Sequence, residues 1–139
     1  MVPAICRSYK TIESVQRRFT ASLPGCKYLT YTERLKLLHI DSLAKRRLKA
    51  DLAFTYKIIF GLVNLNLSDF FTLTTNSKTR GHPYRLALAN YKNTLRRNFL
   101  SVRIVKPWNL LPASNDSFTS FTSFKRFLNN CDIQKLCKY

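Results

Sequence analysis

The stretch RRLKADLAFTYKIIFGL, residues 46–62, constrains the fold most, because a basic start runs into an almost unbroken apolar segment. Three structures fit this pattern: a membrane helix with a basic flank, a nucleic-acid-binding helix, or a core helix with a basic shoulder. A membrane-spanning helix needs about 20 consecutive, mostly apolar residues. The apolar segment, residues 52–67, is shorter than that and contains Lys57, Asn64 and Asn66. We therefore expect neither a membrane anchor nor a membrane partner.

Helical periodicity favours the core helix. At about 100° per residue, most apolar side chains of this stretch fall on one broad face. That face contains Ala44, Leu48, Leu52, Thr55, Tyr56, Ile59 and Leu62. The bases Arg46, Lys49 and Lys57 lie on the opposite side. Asp41 is placed to cap the start of the helix and Gly61 to end it, so we predict a core helix whose first half exposes a basic shoulder.

The spacing of apolar residues predicts further helices on both sides of this one. Thr11 is placed to cap a first helix that Pro24 and Gly25 end, and Thr30 with Glu33 has the spacing of a capping box. One helical turn is expected over residues 68–71 and a helix over residues 98–111, which Pro107 would kink or end early. A last amphipathic helix is predicted by the spacing of Phe118, Phe121, Phe124, Phe127 and Leu128.

One short segment has alternating apolar and polar residues, the pattern of a strand, instead of helical spacing. In YRLALAN, residues 84–90, apolar and polar positions alternate weakly, so it is a candidate strand with residues 94–97 as its candidate hairpin partner. The predicted fold is mainly α, with about five helices in one small domain and a short β-hairpin as an option. Residues 1–139 are expected to form a single domain or a fragment.

The charge composition restricts the class of partner. The 139-residue chain has 24 Lys and Arg against 7 Asp and Glu, a formal net charge of +17. Such a surplus is tolerable when the normal partner is a polyanion, most often nucleic acid. The electrostatic field should be strongest over residues 78–106, because no acidic residue lies between Asp69 and Asp116. A solvated basic face without a partner is the alternative.

The bases form three clusters, with aromatic residues close by: Lys45, Arg46, Arg47 and Lys49 in the first, Arg17 and Arg18 in the second, and Arg96, Arg97, Arg103 and Lys106 in the third. The candidate nucleic-acid-binding residues come from the first and third clusters and from residues 78–92. They are Lys45, Arg46, Arg47, Lys49, Lys78, Arg80, Arg85, Lys92, Arg96, Arg97, Arg103 and Lys106. Basic side chains neutralise phosphates, and exposed aromatic rings stack on unpaired bases. Tyr84 and Tyr91 are the stacking candidates, whereas Phe99 and Trp108 fit the spacing of core residues.

Residues suited to catalysis or metal binding are sparse. The acids stand singly along the chain, whereas two-metal phosphoryl transfer needs closely placed carboxylates. The 4 cysteines form no CxxC pair and have no zinc-finger spacing to His39 or His82, although a zinc site assembled from distant residues is an alternative to reduced structural thiols. We expect no enzymatic activity from the chain alone, no metal, no cofactor, no small-molecule substrate and no secretion.

Six stretches stand in an order that resembles one protein family. They are IESVQRRFT (12–20), YTERLKLLHIDSLAKRRLKADLAFTYKIIFGL (31–62), DFFTL (69–73), TRGHPYRL (79–86), LRRNFLSVRIVKPWNLLP (95–112) and SFTSFKRFL (120–128). Together they resemble the C-terminal end of the reverse transcriptase of LINE-type, non-LTR retrotransposons. In that family this segment follows the polymerase palm as its thumb and post-thumb region. The resemblance covers nearly the whole chain.

This resemblance implies contact with nucleic acid in the nucleus or cytoplasm: template RNA, single-stranded primer DNA or the RNA–DNA hybrid. It does not imply catalysis, because the paired aspartates of the family's palm and its endonuclease would lie upstream. The chain is then expected to be a truncated copy that begins at a chance Met1. The alternative is a structural or protein-interaction module, or an unselected translated fragment with no dedicated partner.

Overall fold

The computed structural model describes residues 4–74, 81–88 and 95–133, without the side chains of residues 4–10 and Arg97. The chain divides into two compact units, residues 1–47 and 48–139. The described part is mainly helical, which confirms the predicted fold class. None of the described helices is both long and apolar enough to cross a membrane.

The first unit is built on helices α1, Ala4–Ser22, and α2, Tyr31–Leu37, which pack against each other. The prediction that Thr11 caps the first helix is wrong, because Thr11 lies inside α1. Residues 4–10 contain neither Gly nor Pro, so nothing in their sequence stops the helix. The capping box of α2 is confirmed: the Thr30 side chain accepts the Glu33 N–H, and the Glu33 carboxylate accepts the Thr30 N–H at 2.7 Å.

Helix α3 spans Leu43–Ile59, so the predicted long helix is present. Its N-terminal cap differs from the prediction, because Ser42 Oγ accepts the Lys45 N–H at 3.2 Å. The Asp41 carboxylate instead forms an ion pair with Lys45 Nζ at 2.8 Å. The predicted end is confirmed: Gly61 has φ 64°, and the next N–H turns back to a carbonyl of the last helical turn.

The apolar face of α3 is buried in the second unit. Leu52, Thr55 and Tyr56 are buried, as predicted, and Ile58 on the adjacent side is buried as well. Leu62 is 56% exposed, so its assignment to this face is wrong. The physical reason is that the chain leaves the helix at Gly61 and loses the helical phase.

The remaining elements of the second unit are short. They are α4 (Leu67–Phe70), a 3-10 turn (Arg96–Asn98), α5 (Leu100–Arg103), α6 (Val105–Asn109), a second 3-10 turn (Asn115–Phe118) and α7 (Phe121–Asn130). Leu86 forms an isolated antiparallel bridge with Leu73, so the strand partner predicted at residues 94–97 is wrong. The predicted hairpin turn at residues 90–93 lies outside the described residues.

The predicted helix over residues 98–111 is divided at Ile104 into α5 and α6. Pro107 has no N–H to donate to the carbonyl of Arg103, so the helical ladder cannot continue through this point. Ile104, Trp108 and Leu111 are buried, whereas Phe99 is 61% exposed, so the prediction that Phe99 is a core residue is wrong. The physical reason is that Phe99 has extended backbone and precedes the first residue of α5.

Aromatic rings form the centre of the second unit. Tyr56, Trp108 and Phe118 all pack around the buried ring of Phe124, with centroid distances of 4.6, 5.6 and 5.5 Å. Two polar atoms of these rings are satisfied by backbone: Tyr56 OH donates to the Phe118 carbonyl at 2.9 Å, and Trp108 Nε1 donates to the Tyr84 carbonyl at 2.6 Å. The predicted core positions of Trp108 and of the Phe stripe of α7 are thereby confirmed.

Candidate nucleic-acid interface

The first predicted cluster of bases is only partly available to a partner. In the first unit, Lys45 is half-buried and paired with Asp41, whereas Arg46 and Arg47 are exposed. Arg46 Nη2 donates to Gln16 Oε1 on α1 at 2.7 Å. This hydrogen bond holds the Arg46 guanidinium at the surface of the unit without neutralising its charge.

A second basic group of the first unit surrounds Tyr31. The Arg17 guanidinium lies 4.9 Å from the centroid of the Tyr31 ring, and that of Arg34 lies 5.9 Å from it. Tyr31 OH donates to the Glu13 carboxylate. Burial, followed by this hydrogen bond and the charge of Glu13, raises the pKa of Tyr31 to about 12, so the phenol stays neutral at physiological pH.

In the second unit, two of the predicted bases are engaged with their own neighbours. Lys49 is half-buried, and its Nζ donates to Asn129 Oδ1 on α7 at 3.3 Å. Arg85 is half-buried and its guanidinium lies against Gly81, where any Cβ would collide with it. Three further candidates, Lys78, Arg80 and Lys92, and the side chain of Arg97, lie outside the described part of the chain.

Exposed bases and an exposed ring occur together at residues 95–106. Arg96, Phe99, Arg103 and Lys106 are all exposed. The backbone links three of them: the Phe99 N–H donates to the Arg96 carbonyl at 3.1 Å, and the Arg103 N–H donates to the Phe99 carbonyl at 3.0 Å. We call Arg96, Phe99, Arg103 and Lys106 the 96–106 surface. It is the part of the predicted interface where described bases and an aromatic ring share one short segment.

The charge of Arg103 is compensated by a residue far away in sequence. Its Nε and Nη2 donate to the two carboxylate oxygens of Asp51 at 3.0 and 2.9 Å, a two-pronged ion pair between α5 and α3. Its Nη1 donates to the Asn98 carbonyl at 2.9 Å. The expectation that residues 78–106 contain bases uncompensated by acid is therefore wrong for Arg103.

Two exposed bases on α7, Lys125 and Arg126, are not among the candidates predicted from sequence. Their position follows from the helical pattern, because they lie between the buried Phe124 and Leu128 on the polar side of α7. The aromatic candidates differ from the prediction as well. The Tyr84 ring packs against Phe60 and Phe118 at 4.9 and 5.1 Å and is half-buried, and Tyr91 lies outside the described residues.

His82 is a buried titratable group that contacts Trp108. The ring is 1% exposed, and its Nε2 lies 2.9 Å from the Trp108 carbonyl. A carbonyl only accepts, so Nε2 carries the proton and Nδ1 is left unprotonated, with no hydrogen-bond partner among the described residues. Burial lowers the pKa of His82 below its ordinary value of 6.5, opposed by the bond to Trp108 and helped by the charge of Arg85.

This arrangement predicts a pH-dependent stability. A folded-state pKa below 6.5 means that the unfolded chain binds the proton first as the pH falls. The free energy of unfolding should therefore decrease below pH 6.5, by at most about 1.4 kcal/mol per pH unit, and stop decreasing below the folded-state pKa. Chemical denaturation between pH 7 and pH 5 measures this. The dependence should be weaker in His82→Gln and unchanged in a variant of the exposed histidine, His39→Asn, whereas parallel pH profiles for all three would contradict the assignment.

The described cysteines and acids form no obvious chemical centre. Cys26 is buried and Cys131 half-buried, both as free thiols, and burial together with the charge of Asp132 raises the pKa of Cys131. Among the described side chains of residues 11–74, 81–88 and 95–133, no group of three or more His, Cys, Asp or Glu is placed to hold a metal ion.

Comparison of the chain with protein-family models, with curated proteins and with solved structures finds no match.

Proposed function

We propose that this chain is a nucleic-acid-binding remnant of a non-LTR retrotransposon reverse transcriptase, without the catalytic palm. Its partners are RNA, single-stranded DNA or an RNA–DNA hybrid. The contacts are electrostatic, from exposed Lys and Arg side chains to phosphates, so the affinity falls as salt rises. The order of the stretches that resemble the family supports the origin, and the charge distribution supports the binding.

The observation that carries the proposal is that the exposed bases outnumber the acids of the chain. The described bases with exposed side chains are Arg17, Arg18, Lys27, Lys36, Arg46, Arg47, Arg96, Arg103, Lys106, Lys125 and Arg126. Four acids form hydrogen bonds or ion pairs within the chain. Glu13 accepts from Tyr31, Glu33 forms the capping box, Asp41 pairs with Lys45, and Asp51 pairs with Arg103. Among the described residues, exposed bases therefore give the surface a positive charge, in line with the net charge of +17 of the whole chain.

The proposed role is binding without catalysis by this chain. Phosphoryl transfer through two metal ions needs adjacent carboxylates. The four acids named above each bind a different partner within the chain and are not paired with one another, which supports a role without two-metal catalysis. A search for nucleotide incorporation by the purified chain tests this part, and incorporation that is lost on changing one acid would contradict it.

The binding surface is tested by a pair of charge-matched double variants. Arg96→Gln with Lys106→Gln removes two exposed bases of the 96–106 surface, and Lys125→Gln with Arg126→Gln removes two exposed bases of α7 in the same unit. If Arg96 and Lys106 contact phosphates, the slope of log affinity against log salt should shrink by about 1.5 in the first variant. It should change much less in the second.

Fluorescence anisotropy with labelled RNA, single-stranded DNA and hybrid measures these slopes. Equal slopes for the wild type and both variants would mean that neither pair contacts phosphate. Equal loss in both variants would mean a diffuse field without a defined surface, which contradicts the proposed site while leaving nucleic-acid binding intact.

A second candidate function is that of a protein-interaction module, and exposed apolar residues on α1 favour it. Ile12, Val15 and Phe19 are exposed and lie on one face of the helix at spacings of three and four residues. Competition with heparin distinguishes the two functions. Displacement of nucleic acid by heparin at equal charge concentration would favour this module, or a fragment with no dedicated partner, whereas a preference for nucleic acid favours the binding role.

A further inference from the structure

Phe99 is an exposed aromatic ring beside a buried segment. Ile104 and Val105 at the helix break are buried, whereas Phe99 is 61% exposed. None of the ring–ring contacts among the described residues involves Phe99, although ten phenylalanines and seven tyrosines occur in the chain. Most of the surface of this ring is therefore accessible to a partner outside the chain.

The backbone around Phe99 is held on both sides. Its N–H donates a hydrogen bond to the Arg96 carbonyl at 3.1 Å, and its carbonyl accepts one from the Arg103 N–H at 3.0 Å. The guanidinium of Arg103 is fixed at the neighbouring residue by the Asn98 carbonyl and by both oxygens of Asp51. The ring therefore extends from a segment that is anchored to α3. Because the backbone at Phe99 is already fixed, only the side-chain torsions lose freedom when the ring binds a flat partner, so the entropy cost of binding is small.

The charges beside the ring specify what that partner is. The exposed Arg96 precedes Phe99 by one turn, and the exposed Lys106 follows in the next helix. An exposed apolar ring with exposed cations before and after it in the chain fits a polymer of flat bases joined by phosphates. Paired bases in a duplex present only their edges, so such a ring can stack fully only on an unpaired base.

We infer that Phe99 is a base-stacking residue for single-stranded nucleic acid. The inference rests on the proposed function and deepens it, because it assigns a preference among the nucleic acids. Phe99 stacks on one unpaired base, Arg96 reaches a phosphate beside it, and Arg103 acts as a positioning residue that holds the turn against Asp51. The chain should then prefer single-stranded to fully duplex nucleic acid of equal charge.

The test compares an oligothymidylate with an abasic oligonucleotide that has the same number of phosphates and no bases. Wild-type chain should bind the oligothymidylate more tightly, by about five-fold or more if one base is stacked. Phe99→Leu should remove this difference without changing affinity for the abasic strand. Phe99→Trp should restore it, because the indole ring stacks as well. Phe19→Leu is the matched control, since Phe19 in the first unit is 64% exposed and follows two arginines.

The outcomes separate the stacking inference from the proposed function. If wild type binds both strands equally, or if Phe99→Leu retains the difference, the stacking inference is overturned and electrostatic binding stands. If Phe19→Leu loses as much as Phe99→Leu, the assignment to Phe99 is overturned. If wild type binds neither strand at low salt, the proposed function itself fails. Circular dichroism of each variant confirms that the helical fold is retained, as expected for a change at an exposed position.

Discussion

Replacing Trp108 with alanine is expected to lower the free energy of unfolding by about 3–5 kcal/mol. Trp108 is 0% exposed, and it packs against Phe118 and Phe124 with centroid distances of 5.8 and 5.6 Å. Its removal leaves a cavity among rings from different elements. It also leaves the Tyr84 carbonyl without the indole N–H that it accepts, which adds to the loss.

Urea denaturation followed by circular dichroism measures this effect, because the variant lacks the single tryptophan and therefore gives no tryptophan fluorescence signal. Phe99→Ala is the control: the same loss of an aromatic ring, at an exposed position of the same unit. Its effect should stay within about 0.5 kcal/mol. A loss below about 1 kcal/mol for Trp108→Ala would mean that the site collapses to fill the cavity and that the ring cluster does not hold the unit together.

The fold was predictable from sequence where local chemistry decides it. The capping box of Thr30 and Glu33 and the end of α3 at Gly61 depend on residues within one or two turns, and both are confirmed. The exposure of Phe99 was not predictable from spacing, because the spacing assumed a helix that already includes Phe99. Phe99 instead has extended backbone, φ −66° and ψ 149°, and α5 begins only at Leu100, so Phe99 does not share a helical face with the residues that follow.

The binding surface was less predictable, because electrostatics acts between residues that are distant in sequence. Charge counting along the chain places Arg103 in a segment with no acid. Folding brings Asp51 from α3 to within 2.9 Å of it, across 52 residues of sequence. No local pattern encodes that pairing, since it depends on how α5 docks on α3.

The pairing of Asp51 with Arg103 leads to the second large effect: Asp51→Asn should increase affinity for nucleic acid. A carboxylate and a phosphate compete for the same guanidinium, and both accept its two parallel N–H groups. Removing the carboxylate charge releases Arg103 for a phosphate contact. If one contact is gained, the slope of log affinity against log salt should steepen by about 0.7–0.9, and affinity near 0.1 M salt should rise by roughly ten-fold.

Two controls show whether the gain comes from Arg103. Asp69→Asn removes the same charge at an exposed position of the same unit, so it reports the general effect of one more net positive charge. Asp51→Asn combined with Arg103→Gln should lose the gain, because no guanidinium is left to release. If Asp51→Asn and Asp69→Asn raise affinity equally, Arg103 does not contact phosphate in the variant.

Stability provides a second readout for the same substitution. The ion pair is partly exposed, with side-chain exposures of 40% for Arg103 and 23% for Asp51, so its loss should lower the free energy of unfolding by no more than about 1 kcal/mol. A gain in affinity together with a small loss of stability would mean that Asp51 holds Arg103 in the turn at the expense of binding. Since the same turn positions Phe99, Asp51→Asn should also reduce the preference of the chain for an oligothymidylate over an abasic strand, even as its total affinity rises. A gain in affinity with that preference unchanged would show that the Asp51–Arg103 pair is not needed to position the ring.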